Sequence, residues 1–300
     1  MTALRLGTRG SALALAQAEL IASRLRAAHP GLEIELVTIT TAGDTDQSTP
    51  LAQGERPGWF TTAIQQALQR GEVDLAVHSL KDLPTARPEG LIIAAVPARE
   101  DPRDALVSRH PGGLRGLPPG AVVGTGSPRR EAQLREIRPD LQVRPIRGNV
   151  ETRIEKVRNG DYDAAVLALA GLRRLGREAD ASHIFGPEEM LPAPGQGALA
   201  VECRTADARV RELLAAIDDA RLRLAVTAER AFLAAIEGGC SYPAAAFAEH
   251  FGSTLKLNAL IAPGGRIIRS KMAGPAETAA GLGRQLAAEL LERAAREDPA

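Results

Sequence analysis

Gly71-Glu72-Val73-Asp74-Leu75-Ala76-Val77 returns downstream as Gly160-Asp161-Tyr162-Asp163-Ala164-Ala165-Val166. Each copy reads as a glycine turn, an acid, and a short apolar run of the kind buried on both faces of a sheet. A loop of functional-looking residues follows each run, Ser79–Pro84 in the first and Ala170–Gly176 in the second. The segment before each copy repeats as well. Leu4–Thr8 reads as a strand, Gly7-Thr8-Arg9-Gly10-Ser11 as a turn, Ser11–Ala28 as a helix capped by Ser11, and Leu32–Thr40 as an alternating strand. Ala121–Gly124, Thr125–Ser127, Pro128–Arg138 and Leu141–Ile146 repeat that order. Strands alternating with helices predict largely parallel sheets, so the reading is α/β with two lobes of one plan.

Between the copies, Pro97–Asp104 is charged and proline-bearing, a crossing from one lobe to the other, and Leu191–Gly197 reads as the return. Two crossings between paired lobes predict a hinged cleft, with ligands beyond the carboxyl ends of the strands. After Asp218 the texture changes to a helix over Arg221–Glu237, then Gly238-Gly239-Cys240, short strands near Leu255–Leu260 and Arg266–Met272, and a helix from Glu277 to Arg296. The expected domains are residues 1–98 with 198–217, residues 99–197, and a smaller C-terminal α+β domain over 218–300.

Composition narrows the class. Of 300 residues, 44% are hydrophobic and 25% charged, which describes a folded chain and not a disordered one. No apolar run approaches the roughly 18–20 residues a bilayer span requires, and the first fifteen residues lack the pattern of an export signal. Two cysteines and five scattered histidines do not build a disulfide framework or a metal centre. A formal net charge of zero argues against a general nucleic-acid binder. The expectation is a cytoplasmic, metal-free monomer that binds neither membrane nor nucleic acid.

The basic residues are lopsided, with four lysines and 33 arginines among 37. Arginine grips carboxylates through a planar fork. Arg9 lies in the first strand–helix turn, and Arg129 and Arg130 lie in the first turn of the second lobe's helix, where the dipole already disfavours cations. Two adjacent arginines there cost about 0.3–1 kcal/mol each unless an anion binds between them. Arg147, Arg153, Arg173 and Arg174 fall on equivalent turns, so the set predicts a polyanion site. Lys81-Asp82 follows a strand directly and pairs an acid with a cation that keeps it ionised. His78 should point to the opposite face from Ser79 and is read as structural. Cys240, after two glycines, sits in a turn suited to an accessible thiol, whereas Cys203 reads as a small buried side chain.

Taken in order, Gly7-Thr8-Arg9-Gly10-Ser11, Val77-His78-Ser79-Leu80-Lys81-Asp82-Leu83-Pro84, Arg99-Glu100-Asp101-Pro102-Arg103-Asp104, Arg147-Gly148-Asn149-Val150, Leu191–Gly197 and Glu237-Gly238-Gly239-Cys240 resemble the porphobilinogen deaminase (hydroxymethylbilane synthase) family. The resemblance runs from about Leu4 to Glu249. It implies two periplasmic-binding-protein-like lobes and a third domain carrying a dipyrromethane cofactor, one per chain, on a thioether to Cys240. It further implies head-to-tail condensation of four porphobilinogen molecules with loss of ammonia, then release of hydroxymethylbilane by water, in tetrapyrrole and heme biosynthesis.

By that resemblance Asp82 is the catalytic carboxylate, facing the pyrrole nitrogens and steadying cationic intermediates. Lys81, Asp82, Thr125, Ser127, Arg129, Arg130, Arg147 and Gly148 would hold the cofactor, and Arg9, Ser11, Phe60, Arg147, Arg153, Arg174 and Gln196 the substrate or growing chain. The sequence departs from the family at residues 53–60, where Pro57 occupies a usual lysine position and Arg56 stands beside it. Pro128 and Ala244-Ala245 are further departures that remove no assigned residue. Two other readings of the same residues are a non-catalytic two-lobed anion-binding protein and a catalytically decayed homologue. Release of ammonia from porphobilinogen separates the enzyme from both.

Overall fold

The computed structural model describes residues 3–41, 43, 61–236 and 243–297. Its chain divides into two units, Met1–Glu100 with Ala198–Arg223, and Asp101–Gly197 with Leu224–Ala300. In chain order the described strands and α-helices are β1 (Leu4–Thr8), α1 (Ala12–Ala28), β2 (Ile34–Thr38), α2 (Thr62–Gln69), β3 (Leu75–Ser79) and β4 (Leu91–Ala95). The second lobe follows with β5 (Asp104–Ser108), β6 (Val122–Gly124), α3 (Pro128–Ile137), β7 (Gln142–Arg144), α4 (Val150–Asn159), β8 (Ala164–Ala168), α5 (Leu169–Arg174) and β9 (Ala181–Ile184). The chain then gives β10 (Leu199–Arg204), α6 (Ala208–Ala215), α7 (Ala220–Ala235), β11 (Ala244–Phe251), β12 (Thr254–Ile261), β13 (Ile268–Pro275) and α8 (Ala279–Glu297).

The duplication read from the sequence is realised strand for strand. One sheet has the order β2-β1-β3-β10-β4 and the other β7-β6-β8-β5-β9. Both sheets are mixed, which corrects the expectation of mainly parallel pairing: in each, the strand that follows a crossing, β10 or β5, runs antiparallel to both neighbours. The repeated acid explains itself at this level. Asp74 Oδ2 accepts the Arg5 backbone N–H at 2.9 Å, and Asp163 Oδ2 accepts that of Val122 at 2.8 Å. Asp74 and Asp163 also donate their own N–H groups to the carbonyls of Arg5 and Val122, at 2.8 and 2.9 Å. Each acid thus pins the first strand of its lobe to the central one, after a glycine turn at positive φ, Gly71 or Gly160.

Burial follows the pattern. Leu75, Ala76 and Val77 in β3 and Ala164, Ala165 and Val166 in β8 are buried, as a central strand covered on both faces requires. The C-terminal part is an antiparallel meander, β11-β12-β13, with α7 and α8 on one face. In β12 Leu255, Leu257, Ala259 and Ile261 alternate inward. β11 was not expected from the sequence, because Ala244-Ala245-Ala246 lacks the branched side chains of a strand. It forms because Ala244, Ala246 and Ala248 enter the helix-covered core while Ala245 and Phe247 pack with Leu191 on the other face. Among the described residues no helix is long and apolar enough to cross a membrane, and no group of three or more His, Cys, Asp or Glu is placed to hold a metal.

Candidate functional site

In unit 1 the parallel pairing of β1 with β3 brings the carboxyl ends of both strands to one edge of the sheet. β1 runs into Arg9, Gly10 and Ser11. Ser11 caps α1, its Oγ accepting the Ala14 N–H at 3.3 Å. β3 runs through Ser79 into a single 3-10 turn, Leu80–Asp82, which places Lys81 half-buried and Asp82 exposed. Gln17 of α1 donates to Ser79 Oγ at 2.9 Å, and the Leu80 N–H donates to the Ala198 carbonyl at 3.0 Å, so the turn is tied on both sides. Gln17 carried no signal in the sequence beyond its place on the helix. His78 is buried as expected, its Nε2 lying 3.1 Å from Glu202 Oε2, with Gln65 Nε2 donating to the same oxygen at 3.0 Å.

In unit 2 three parallel strand ends, of β7, β6 and β8, share an edge. Thr125 is buried and its Oγ1 accepts the Ser127 N–H at 3.1 Å, while Ser127 caps α3. Arg147 and Gly148 lead into Asn149, the cap of α4, whose Oδ1 accepts the Thr152 N–H at 2.9 Å. Gly148 has φ +109°, and a Cβ there would lie 2.6 Å from Thr152 Cγ2, so no other residue fits without displacement. Arg153 Nε donates to the Gly148 carbonyl at 2.8 Å, and Arg174 Nη2 to that of Gly197 at 2.6 Å. The segment after β8 is a short helix, α5, where the sequence pointed to a loop.

The paired arginines are the principal surprise. An anion does sit with them, but the chain itself supplies it. Asp104, fully buried at the start of β5, accepts from Arg129 Nη1 at 2.8 Å and from Arg130 Nε and Nη2 at 3.0 and 2.7 Å. Gln196, also fully buried, donates to Asp104 at 3.0 Å and to the Pro102 carbonyl at 2.7 Å. Arg129 Nη1 also reaches the Leu191 carbonyl, and Arg130 Nη1 that of Val166. Asp104 ends the Arg99–Asp104 motif, and its antiparallel strand brings it to this edge, which no local pattern announces. Burial pulls the Arg129 guanidinium below its ordinary pKa, Asp104 opposes that, and Arg130 adds to it. Arg129 Nε and Arg147 Nη2 are buried donors with no hydrogen-bond partner among the described residues. Such groups are costly unless something accepts from them.

Phe60 and Cys240 lie outside the described residues, as does the 53–60 segment. The other cysteine is described and suits no attachment chemistry: Cys203 is fully buried in β10, and desolvation pushes its thiol up to about 11. Glu229 of α7, unremarked in the sequence, is buried and accepts the Gly195 N–H at 2.6 Å and the Ala248 N–H at 3.0 Å. It joins the helix before Cys240 and the strand after it to the 191–197 segment.

A family model described as porphobilinogen deaminase, dipyromethane cofactor binding domain, matches residues 4–212, and one described as porphobilinogen deaminase, C-terminal domain, matches residues 223–292. The porphobilinogen deaminase of Acidothermus cellulolyticus is 51% identical over 301 residues, covering 98% of this chain and 90% of that protein. Among solved structures, a TRAP periplasmic solute binding protein from Pseudomonas putida F1 with bound D-glucuronate is 12% identical, with a TM-score of 0.41 over 78% of this chain and 81% of that one. The periplasmic VFT2 domain of Bordetella pertussis BvgS is 15% identical, with a TM-score of 0.38 over 72% and 86%.

Proposed function

Because the chain belongs to the porphobilinogen deaminase family, we propose that its two sets of strand-end residues divide the work between holding carboxylates and steadying positive charge. The activity is that of a hydroxymethylbilane synthase, a transferase of tetrapyrrole biosynthesis. It joins four porphobilinogen molecules head to tail with loss of ammonia on a dipyrromethane primer, and hydrolysis frees the linear product. When bound, the dipyrromethane supplies the covalent primer and its own acetate and propionate carboxylates.

The residues present fit that group. Two buried guanidiniums face one buried carboxylate at Asp104, and Arg129 Nε and Arg147 Nη2 are donors still to be satisfied. This uncancelled buried positive charge is the observation that carries the assignment. Lys81, Thr125, Ser127, Arg129, Arg147 and Gly148 hold the cofactor, and Arg130, whose Nε, Nη1 and Nη2 already bond Asp104 and the Val166 carbonyl, stands beside it as fixed positive charge. Cys240 is the attachment point, a reading supported by how poorly the deeply buried Cys203 would serve. Arg9, Ser11, Phe60, Arg153, Arg174 and Gln196 hold the incoming or elongating substrate, with Arg147 shared. The hydrogen bonds of Arg153 and Arg174 to backbone carbonyls support fixed orientations for both.

Asp82 is the catalytic residue. Its carboxylate, on a turn tied to Gln17 and Ala198, offsets the positive charge that develops as the amine leaves and can take or return a proton. The working form is a cytoplasmic monomer, for which light scattering should return the mass of one chain. The deciding test is intact mass: purified protein should carry added mass equal to two pyrrole units, absent from Cys240→Ala. Full activity with no adduct would refute the assignment.

A further inference from the structure

Asp104 is where the second lobe keeps its negative charge. Its Oδ2 accepts from Arg129 Nη1 at 2.8 Å; its Oδ1 accepts from Arg130 Nε at 3.0 Å, Arg130 Nη2 at 2.7 Å and Gln196 Nε2 at 3.0 Å. None of the three charged groups reaches solvent appreciably, with Asp104 at 0%, Arg129 at 4% and Arg130 at 6% exposure. Guanidiniums do not give up their protons in proteins, so the group carries one positive charge in excess. Buried charge of that kind persists only where a partner completes it.

The two arginines are not equivalent in this arrangement. Arg130 has its Nε–Nη2 edge closed by Asp104 and its Nη1 held by the Val166 carbonyl. Arg129 is held by one end alone: Nη1 meets Asp104 and the Leu191 carbonyl, while its buried Nε has no partner among the described residues. The Nε–Nη2 edge is one that takes a carboxylate with two parallel bonds. Gln133 secures the same end, donating to the Leu191 carbonyl at 3.1 Å and accepting the Leu191 N–H at 2.7 Å.

We infer that Asp104 is a positioning residue of the anion site, locking Arg130 and one end of Arg129 so that the Nε edge of Arg129 is reserved for one carboxylate of the bound cofactor, whose charge completes the group. The inference rests on the reading that this lobe holds a carboxylated cofactor.

The test uses full-length protein made in cells that lack porphobilinogen and then loaded with porphobilinogen, followed by intact mass and by the arginine Nε–H resonances. Arg129→Lys and Arg130→Lys assign the two signals. Loading of wild type should shift the Arg129 Nε–H signal and leave that of Arg130 nearly in place. An unmoved Arg129 signal in fully loaded protein overturns the inference, and this measurement needs no variant at Asp104. Asp104→Asn should gain adduct at least tenfold more slowly and displace both signals, with Asp104→Glu recovering part of the rate. A folded Asp104→Asn protein that loads at the wild-type rate also overturns it. Wild type that gains no mass at all defeats the functional reading itself, and the inference with it.

Discussion

Asp82, three residues beyond the end of β3, and Asp104, the first residue of β5, stand in opposite surroundings. Asp82 is exposed on a 3-10 turn, where a carboxylate is free to meet a ligand and exchange a proton. Asp104 is sealed by two guanidiniums and an amide, and its charge is committed to them. Asp82→Asn should therefore keep the covalent adduct and the fold while lowering turnover by about 10²–10⁴-fold, the range for loss of a positioned acid–base group. Steady-state assay beside intact mass checks it; turnover within threefold of wild type removes Asp82 from the chemistry. The turn that carries Asp82 was readable in the sequence from its place directly after a strand. Asp104 was not, because its meaning depends on Arg129 and Arg130, which only the folded sheet brings to it.

At the scale of elements, α7 and α8 show what close packing demands. Gly283 of α8 sits where an added Cβ would come within 2.3 Å of the Ala228 carbonyl oxygen and 2.8 Å of the Phe232 backbone nitrogen, both on α7. The two helices touch backbone to backbone at that point, and no rotamer can relieve the clash. Gly283→Ala should destabilise the C-terminal part by about 1–3 kcal/mol, the usual cost of forced overpacking. A chemical-denaturation midpoint equal to wild type would show that the helices separate freely. The helices after Ser11 and Ser127 were evident from their position after a strand and a turn, with Ser11 read as a cap, but α4 and its cap Asn149 were not read, and Arg153, expected on a turn, lies in that helix. β11 and α5 were not evident either: alanines carry little strand preference, and a six-residue helix is too short to show a period.

For the molecule as a whole, the arginine excess is turned largely toward its own carboxylates. Burial alone would raise Asp74, but hydrogen bonds from Arg5 and Arg204 outweigh it and hold the group below the usual carboxylate range. Asp163 is lowered first by the Val122 N–H, and Asp140 first by Arg138, to about 2. Glu202, raised by burial, ends lower because of His78. A carboxylate whose folded pKa is depressed contributes stability that is complete above its unfolded pKa and is lost as pH falls through the folded value. The urea midpoint should thus be flat from about pH 8 down to about pH 5 and fall progressively below about pH 4. A midpoint unchanged down to pH 3 would mean these pairs contribute nothing. Screening limits the exposed ones, so the decline should come mainly from Asp74 and Glu202, both shielded from solvent.

What the sequence determined by itself was written locally or repeated: two lobes of one plan, the helix capped by Ser11, the Lys81-Asp82 turn, and the family those motifs resemble. Periodicity, turn chemistry and short-range order are properties of neighbouring residues, so they survive without coordinates. The tertiary structure alone decided which strand would run antiparallel in each sheet and which carboxylate would stand against Arg129 and Arg130. Those outcomes join residues far apart in the chain, such as Asp104 with Arg130 and Glu229 with Gly195, and they arise from the geometry of the sheets and not from any pattern within a single stretch.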